Sequence, residues 1–272
     1  MLRIPFTKAH GAQNDFLLTW ESQAGPADQL GAIAEAICHR HTGVGADGWL
    51  LVGEPSAPGF AARIRLFNPD GGEVEISGNG TRCAAAFVVH HGRAAKEVRL
   101  ETGAGPKSLE LLENQDPRFQ FEMDMDRPVA AEESELDGRP VVILNVGNPQ
   151  CALLVDDFDF DWRKLGREIE HHARFARRTN VSFIRVIDRQ TLEVRFWERG
   201  VGETASSGTG STGAFAAARL RGLVDSAARV NTPGGELQLR WHTPVNASEK
   251  ETIYLKGPAE LTVAGEFYFS KR

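Results

Sequence analysis

Short apolar runs separated by Gly, Pro and Asp dominate the first half of the chain. Residues 2–6, 16–20, 49–52, 61–67, 98–101, 108–112 and 119–123 have the length and composition of strands. Two stretches depart from that rhythm. After Asp28, the apolar side chains Leu30, Ile33, Ala34 and Ile37 recur at i, i+3, i+4 and i+7, which predicts an amphipathic helix ending before Gly43. Residues 84–91 form an Ala-rich, breaker-free run that predicts a second helix. The segment 125–138, with Pro128 and the cluster Glu132, Glu133 and Glu135, reads as a linker and puts a boundary near residue 127. Beyond it the pattern starts again. Strands are predicted over 141–145, 152–155, 182–186 and 192–197, with helices over 162–172 and 214–220. A closing apolar strand at 267–269 is expected to return to the first domain, giving halves of residues 1–127 with 258–272, and 128–257.

The two Ala-rich runs are copies of one unit. Gly72, Glu73, Ser77, Gly78, Gly80, Ala84, Ala86 and Gly92 match Gly202, Glu203, Ser207, Gly208, Gly210, Ala214, Ala216 and Gly222 at a constant offset of 130 residues. Each copy is a Ser-Gly-x-Gly turn leading into a helix, the pattern of a capped helix start. Backbone N–H groups at such a start attract anions, and two starts facing one another would hold one small carboxylate or phosphate.

Composition narrows the function classes without choosing among them. The 272 residues suffice for two domains with their own cores, and 41% apolar with 25% charged residues is ordinary for a globular protein. A net charge of −6, with the 31 basic residues scattered, argues against nucleic acid as a partner. Arg174, Arg177 and Arg178 read as a solvated face. No membrane span and no signal peptide are expected, and the three widely spaced cysteines Cys38, Cys83 and Cys151 suggest neither a disulfide framework nor a metal site. A cytoplasmic protein fits best. A homodimer is compatible with the sequence.

Several motifs carry less. Gly43 to Gly48 and Gly208 to Gly213 both satisfy G-x-G-x-x-G, but neither directly follows a strand, so a dinucleotide site is not expected. His90-His91 and His171-His172 are neighbours that point about 100° apart on a helix and cannot chelate one ion together. Asn14 and Asp15, in the polar stretch 8–16, can be turn residues or site residues.

The ordered motifs together resemble the diaminopimelate epimerase family over nearly the whole chain. They are Lys8-Ala9-His10-Gly11 through Asn14-Asp15-Phe16, Gly43-Val44-Gly45 with Asp47, the block from Asn68 to Cys83, Gly147-Asn148-Pro149, Asn180, and Glu198-Arg199-Gly200 through Gly210. The resemblance implies an α+β fold of two pseudo-symmetric α/β halves, each a mostly antiparallel sheet wrapped around a central helix. It also implies a cofactor-independent epimerase, acting on LL- and meso-diaminopimelate in lysine biosynthesis, in which two cysteines at the helix starts move a proton at Cα. By that resemblance Gly78, Asn79, Gly208 and Thr209 bind the reacting carboxylate. Asn14, Asn68, Asn148, Asn180, Glu198 and Arg199 line the pocket, several of them recognising the distal amino-acid end. No metal and no cofactor are called for.

The departures fall on the chemistry. Ser77 and Ser207 occupy both cysteine positions, Gln150 stands where the family has a histidine that assists one thiol, and Gly48 replaces a glutamine expected near the pocket mouth. Cys83 matches a family cysteine that is not catalytic. Serine needs a neighbouring base, and no histidine lies within a few residues of either motif. The changes at Gln150 and Gly48 accompany the serines and point to divergence of the site as a whole. Three readings stay open: an isomerase using Ser77 and Ser207, a catalytically silent amino-acid binder, and a dehydratase of a hydroxylated amino acid.

Overall fold

The computed structural model of the chain describes residues 1–246 and 249–270. Its first strand, β1 (Leu2–Gly11), turns back through Ala12 and Gln13 alone into β2 (Asn14–Trp20). Both turn residues have positive φ, 51° and 63°, as in the two-residue hairpins whose twist matches their flanking strands. The polar stretch 8–16 is therefore mostly strand rather than turn, and Asn14 opens the ladder opposite Gly11.

Two compact units make up the chain: Met1–Met123 with the segment from Pro258 onward, and Asp124–Gly257. The first continues with α1 (Leu30–Cys38), β3 (Gly48–Gly53), β4 (Ala62–Phe67), β5 (Glu73–Val74), α2 (Gly78–His90), β6 (Glu97–Thr102), β7 (Gly105–Gln115) and β8 (Arg118–Asp124). In it β1 and β2 are antiparallel, β2 and β3 parallel, and β3 and β4 antiparallel. Strand β4 then takes β5 antiparallel and β6 parallel, and β6, β7 and β8 meander.

The second unit repeats this scheme. It contains β9 (Val129–Leu136), β10 (Arg139–Asn145), β11 (Pro149–Leu154), α3 (Trp162–Glu170), β12 (Asn180–Asp188), β13 (Thr191–Glu198), β14 (Gly202–Thr204), α4 (Gly208–Leu220), β15 (Ala227–Thr232) and β16 (Gly235–His242). The ladders β10 to β16 reproduce β1 to β7 step by step, with the parallel pairs β11–β12 and β13–β15 in the places of β2–β3 and β4–β6. Strand β17 (Thr252–Phe269) serves both units. Its early residues pair with β16, and its later ones pair antiparallel with β1, Leu2 lying opposite Phe269. Because β8 also pairs with β17, the strands of the first unit close into a barrel.

Closure requires a slender central helix, and the Ala-rich runs supply one. From Gly78 to Val88 and from Gly208 to Ala218 every residue is buried, as expected of a helix enclosed on all sides. The glycines of both starts already lie in the first helical turn. A Cβ on Gly80 would come 3.3 Å from Phe16 and Leu50, and one on Gly210 would come 2.7 Å from Phe196, so the sheet wall and the helix meet too closely for a side chain. The outer helices α1 and α3 are amphipathic. Leu30, Ile33 and Ile37 pack with Leu17 and Trp49, while Trp162 and Ile169 pack with Phe183.

The segment read as a linker contains β9, paired with β10. It lacks the alternation of a half-buried strand because it is mostly exposed. Its carboxylates meet cations across the unit, Glu132 with Arg174 and Glu133 with Arg221. The charge that suggests a linker belongs to a protected, solvent-facing strand.

Candidate active site

Each unit combines a serine cap, a glycine-rich first turn and an asparagine carried by a hairpin. Ser77 is extended (φ −128°, ψ 127°), and its hydroxyl accepts from the Gly80 N–H at 3.1 Å. Ser207 (φ −139°, ψ 124°) accepts from the Gly210 N–H at 3.0 Å. The first intrahelical bonds run from Thr81 N–H to the Ser77 carbonyl and from Ser211 N–H to the Ser207 carbonyl. The amides of Gly78, Asn79, Gly208 and Thr209 thus precede the first bonded turn and sit at the positive end of the helix dipole. Ser207→Ala should cost about 1 kcal/mol in a denaturant melt, the usual worth of a serine cap. A loss near zero would mean that the hydroxyl does not serve the helix.

Around α2 the asparagines form a chain of bonds. Asn79, fully buried, donates from Nδ2 to Asn14 Oδ1 at 3.1 Å, and Asn14 donates to Asp47 Oδ2 at 2.7 Å. Arg82, also fully buried, donates to Asn79 Oδ1 at 2.5 Å, to the Pro258 carbonyl at 3.1 Å and to the Gly78 carbonyl at 3.4 Å. Asp47 exchanges backbone and side-chain bonds with Asp15, and Arg40 bridges the two carboxylates at 2.9 and 2.6 Å. Lys8 adds a 2.9 Å contact to Asp15.

This cluster is sensitive to acid. Burial alone would push the Asp15 carboxyl up, but hydrogen bonds and charge from Arg40 and Lys8 outweigh it and hold Asp15 below the usual carboxylate range. Burial and then the charge of Asp15 push Asp47 up. A carboxyl depressed by folding contributes stability above its unfolded value and loses it as pH falls through its folded value. The melting temperature of Asp15→Asn should therefore lie below that of the parent at pH 6, with the gap closing as pH drops below about 4. A gap independent of pH would rule out an ionic role.

In the second unit the side chains bonded at the helix start are neutral. Asn148 donates to Thr209 Oγ1 at 3.3 Å, and Gln150 donates to Asn148 Oδ1 at 2.6 Å. Asn148 thus stands to Thr209 as Asn14 does to Asn79, but it donates where Asn14 accepts. Asn180 donates to the Pro149 carbonyl at 2.9 Å and accepts the Arg199 N–H at 3.0 Å, which ties the start of β12 to the turn bearing Glu198 and Arg199. By ladder register, Asn180 opposite Gln150 corresponds to Gly48 opposite Phe16. Thr179-Asn180 therefore takes the place of Asp47-Gly48. Asn68 sits in the turn after β4, where its N–H reaches the Gly72 carbonyl and its carbonyl accepts from Gly71.

Three side chains of this machinery were not among the candidates from the sequence: Asp47 as a ligand of Asn14, Arg82, and Glu170. Glu170 is 3% exposed and accepts from Trp197 Nε1 at 2.8 Å and from the Gly200 N–H at 2.9 Å, which fixes the turn after Arg199. Its signal lies in the helical spacing, since Trp162, Gly166, Ile169 and Glu170 form the buried face of α3. The paired histidines end their helices: His91 and His171 bond the carbonyls four residues back, and His90 pairs with Asp116. Among the described residues no cluster of His, Cys, Asp and Glu has the arrangement of a metal site. No helix among them is long and apolar enough to cross a membrane.

Known proteins share this architecture. The chain is 38% identical to the diaminopimelate epimerase of Pseudomonas savastanoi pv. phaseolicola over 96% of its own length and 98% of that protein's. A PhzF-family phenazine biosynthesis protein of Bacillus anthracis superposes with TM-score 0.75 at 17% identity, covering 99% and 100% of the two chains. A probable proline racemase of Agrobacterium radiobacter superposes with the same score at 12% identity, covering 96% and 92%. These two likenesses establish the fold, α+β with pseudo-symmetric halves, each wrapped around a central helix. The pattern described as diaminopimelate epimerase matches residues 6–130 and 142–262. Both serine-capped helix starts fall inside those spans, and the chain belongs to the diaminopimelate epimerase family.

Proposed function

We propose that this protein is a cofactor-independent amino-acid Cα isomerase that interconverts LL- and meso-diaminopimelate, with Ser77 and Ser207 at the two acid/base positions. The observation that carries the reading is the duplicated, serine-capped helix start, held in each unit by a hairpin asparagine, in a chain 38% identical to a diaminopimelate epimerase. The amides of Gly78, Asn79, Gly208 and Thr209 suit an α-carboxylate, whose negative charge grows when the Cα proton leaves. One serine, as its alkoxide, takes the proton and becomes the hydroxyl, the electron pair spreads into the carboxylate, and the other serine gives its hydroxyl proton to the opposite face of Cα and is left as the alkoxide. Asn68, Asn180, Glu198 and Arg199 suit the zwitterionic distal end. Three buried free cysteines fit a reducing cytoplasm.

A second reading, an amino-acid binder without turnover, is favoured by one feature of the same site. Both hydroxyls are engaged as caps, and Gln150, an amide that cannot carry a proton between groups, stands beside Asn148. Incubation of the native chain with LL- and meso-diaminopimelate in deuterium oxide separates the two. Deuterium at Cα with a change of configuration supports the isomerase. Saturable heat of binding without deuterium supports the binder. Absence of both removes diaminopimelate as the ligand.

A further inference from the structure

The two helix starts match in backbone and differ in charge. Five residues beyond the Ser77 cap stands Arg82, and five beyond the Ser207 cap stands Thr212, whose hydroxyl turns back to the Gly208 carbonyl at 2.8 Å. The Arg82 guanidinium folds back in the same way but brings a full positive charge to the first turn of α2, within bonding reach of Gly78 and Asn79. It is fully buried, and its hydrogen-bond partners among the described residues are two carbonyls and one amide oxygen, none of them ionised. Burial pushes its pKa down to about 10, which leaves it cationic at neutral pH.

Other charges nearby do not cancel it. Asp47 reaches Arg82 only through Asn14 and Asn79, and it is engaged with Arg40. Lys8 and Arg40 balance Asp15 and Asp47 two against two. The strands packed on α2 also carry Arg3 and His10 of β1, Arg63 and Arg65 of β4, and Glu97, Arg99 and Glu101 of β6, and the exposed Glu75 precedes the cap. Arg63 and Arg65 pair with Glu21 and Glu73, and Glu101 accepts from Ser56. Around α4 the bonded neighbours of the first turns are Asn148 and Ser182, with Gln150 behind Asn148, all neutral. The Gln150 Oε1 and Ser211 Oγ atoms there are buried oxygens without hydrogen-bond partners among the described residues. Glu170 is the one buried charged side chain in that unit among the described residues, and it is committed to Trp197 and Gly200.

We infer that Arg82 is a positioning residue that makes the α2 start the more anion-stabilising of the two helix starts, so that an acidic group at position 77 ionises before its counterpart at position 207. The inference rests on reading Ser77 and Ser207 as the acid/base positions. It gives the halves unequal resting roles: the α2 side holds the deprotonated group, and the α4 side holds the protonated one. Arg82 does so through the first turn of the helix, without touching substrate.

The test needs no substrate, so its failure is distinguishable from failure of the proposed activity. Ser77→Cys and Ser207→Cys are made separately in the full chain, and each thiol is titrated by thiolate absorbance. Cys38, Cys83 and Cys151 do not interfere, because burial pushes each of them up to about 12. The thiol at position 77 is expected to titrate at least about one pH unit below the thiol at position 207. Arg82→Gln should close most of that gap by raising the former alone, and Arg82→Lys should preserve it. If Arg82→Gln does not fold, Asn79→Asp sets a carboxylate of the same shape against the guanidinium and should narrow the gap as well. Equal midpoints in the Arg82 background, a lower midpoint at position 207, or a gap unchanged by Arg82→Gln or Asn79→Asp would overturn the inference.

Discussion

Ser77→Cys/Ser207→Cys should raise the rate of Cα hydrogen exchange in diaminopimelate by about a thousandfold or more over the native chain. A thiol near its ordinary value of about 8.5 supplies some thiolate at neutral pH, and a helix start increases that fraction. A serine hydroxyl lies several pH units higher, and nothing bonded to Ser77 or Ser207 is a base: each accepts from a glycine N–H. The backbone geometry around both caps is already in place, so only the reacting atom changes. The gain carries a cost in stability. Serine is among the best caps and sulfur is a weak acceptor, so the double variant should melt several degrees lower while it exchanges faster. Deuterium incorporation followed by mass spectrometry, beside a thermal melt, reads both effects. If the native chain exchanges as fast as the double variant, a base outside the two caps does the chemistry and the assignment of Ser77 and Ser207 fails.

Glu170→Ala should have the largest effect on stability of any single change near the site, about 2–4 kcal/mol. Its carboxylate accepts from Trp197 Nε1 and the Gly200 N–H and lies 3.5 Å from Arg178. Truncation takes the acceptor from both donors and the counter-charge from the Arg178 guanidinium. The same turn carries Glu198 and Arg199, so weaker binding of diaminopimelate is expected together with the lower melting temperature. Glu170→Gln keeps one acceptor and should recover roughly half of the stability. A variant that loses stability but binds as tightly as the parent would show that the turn holds its shape without Glu170.

What the sequence reveals follows the range of the forces involved. The central helices are legible because their signal is local: a capping serine, small residues where the sheet presses on the backbone, and alanines without breakers. The amphipathic faces of α1 and α3 are legible for the same reason. No strand is predicted at β15 or β16 although Leu237, Leu239 and Trp241 alternate, and the glutamates of β9 mask it. The polar chains are the hardest to foresee. Asn14 meets Asp47 across 33 residues and Asn79 across 65, and nothing near any of the three announces the others. Arg82 reads as an ordinary helix arginine until its burial removes the solvent that would screen it.

Strand β17 bears on how the protein is made. The second unit is one uninterrupted stretch of chain, Asp124–Gly257, and all of it precedes the residues of β17 that close the first unit. The first unit is made earlier but finishes later, since Leu2 waits for Phe269 and His10 for Glu260. Until then its barrel is open along one side of β1, an unpaired edge of the kind that recruits other strands. The unit made first is thus the unit completed last, and a truncation after Gly257, which keeps the β16 partners of β17 and removes those of β1, should expose the first unit to aggregation and proteolysis while sparing the second.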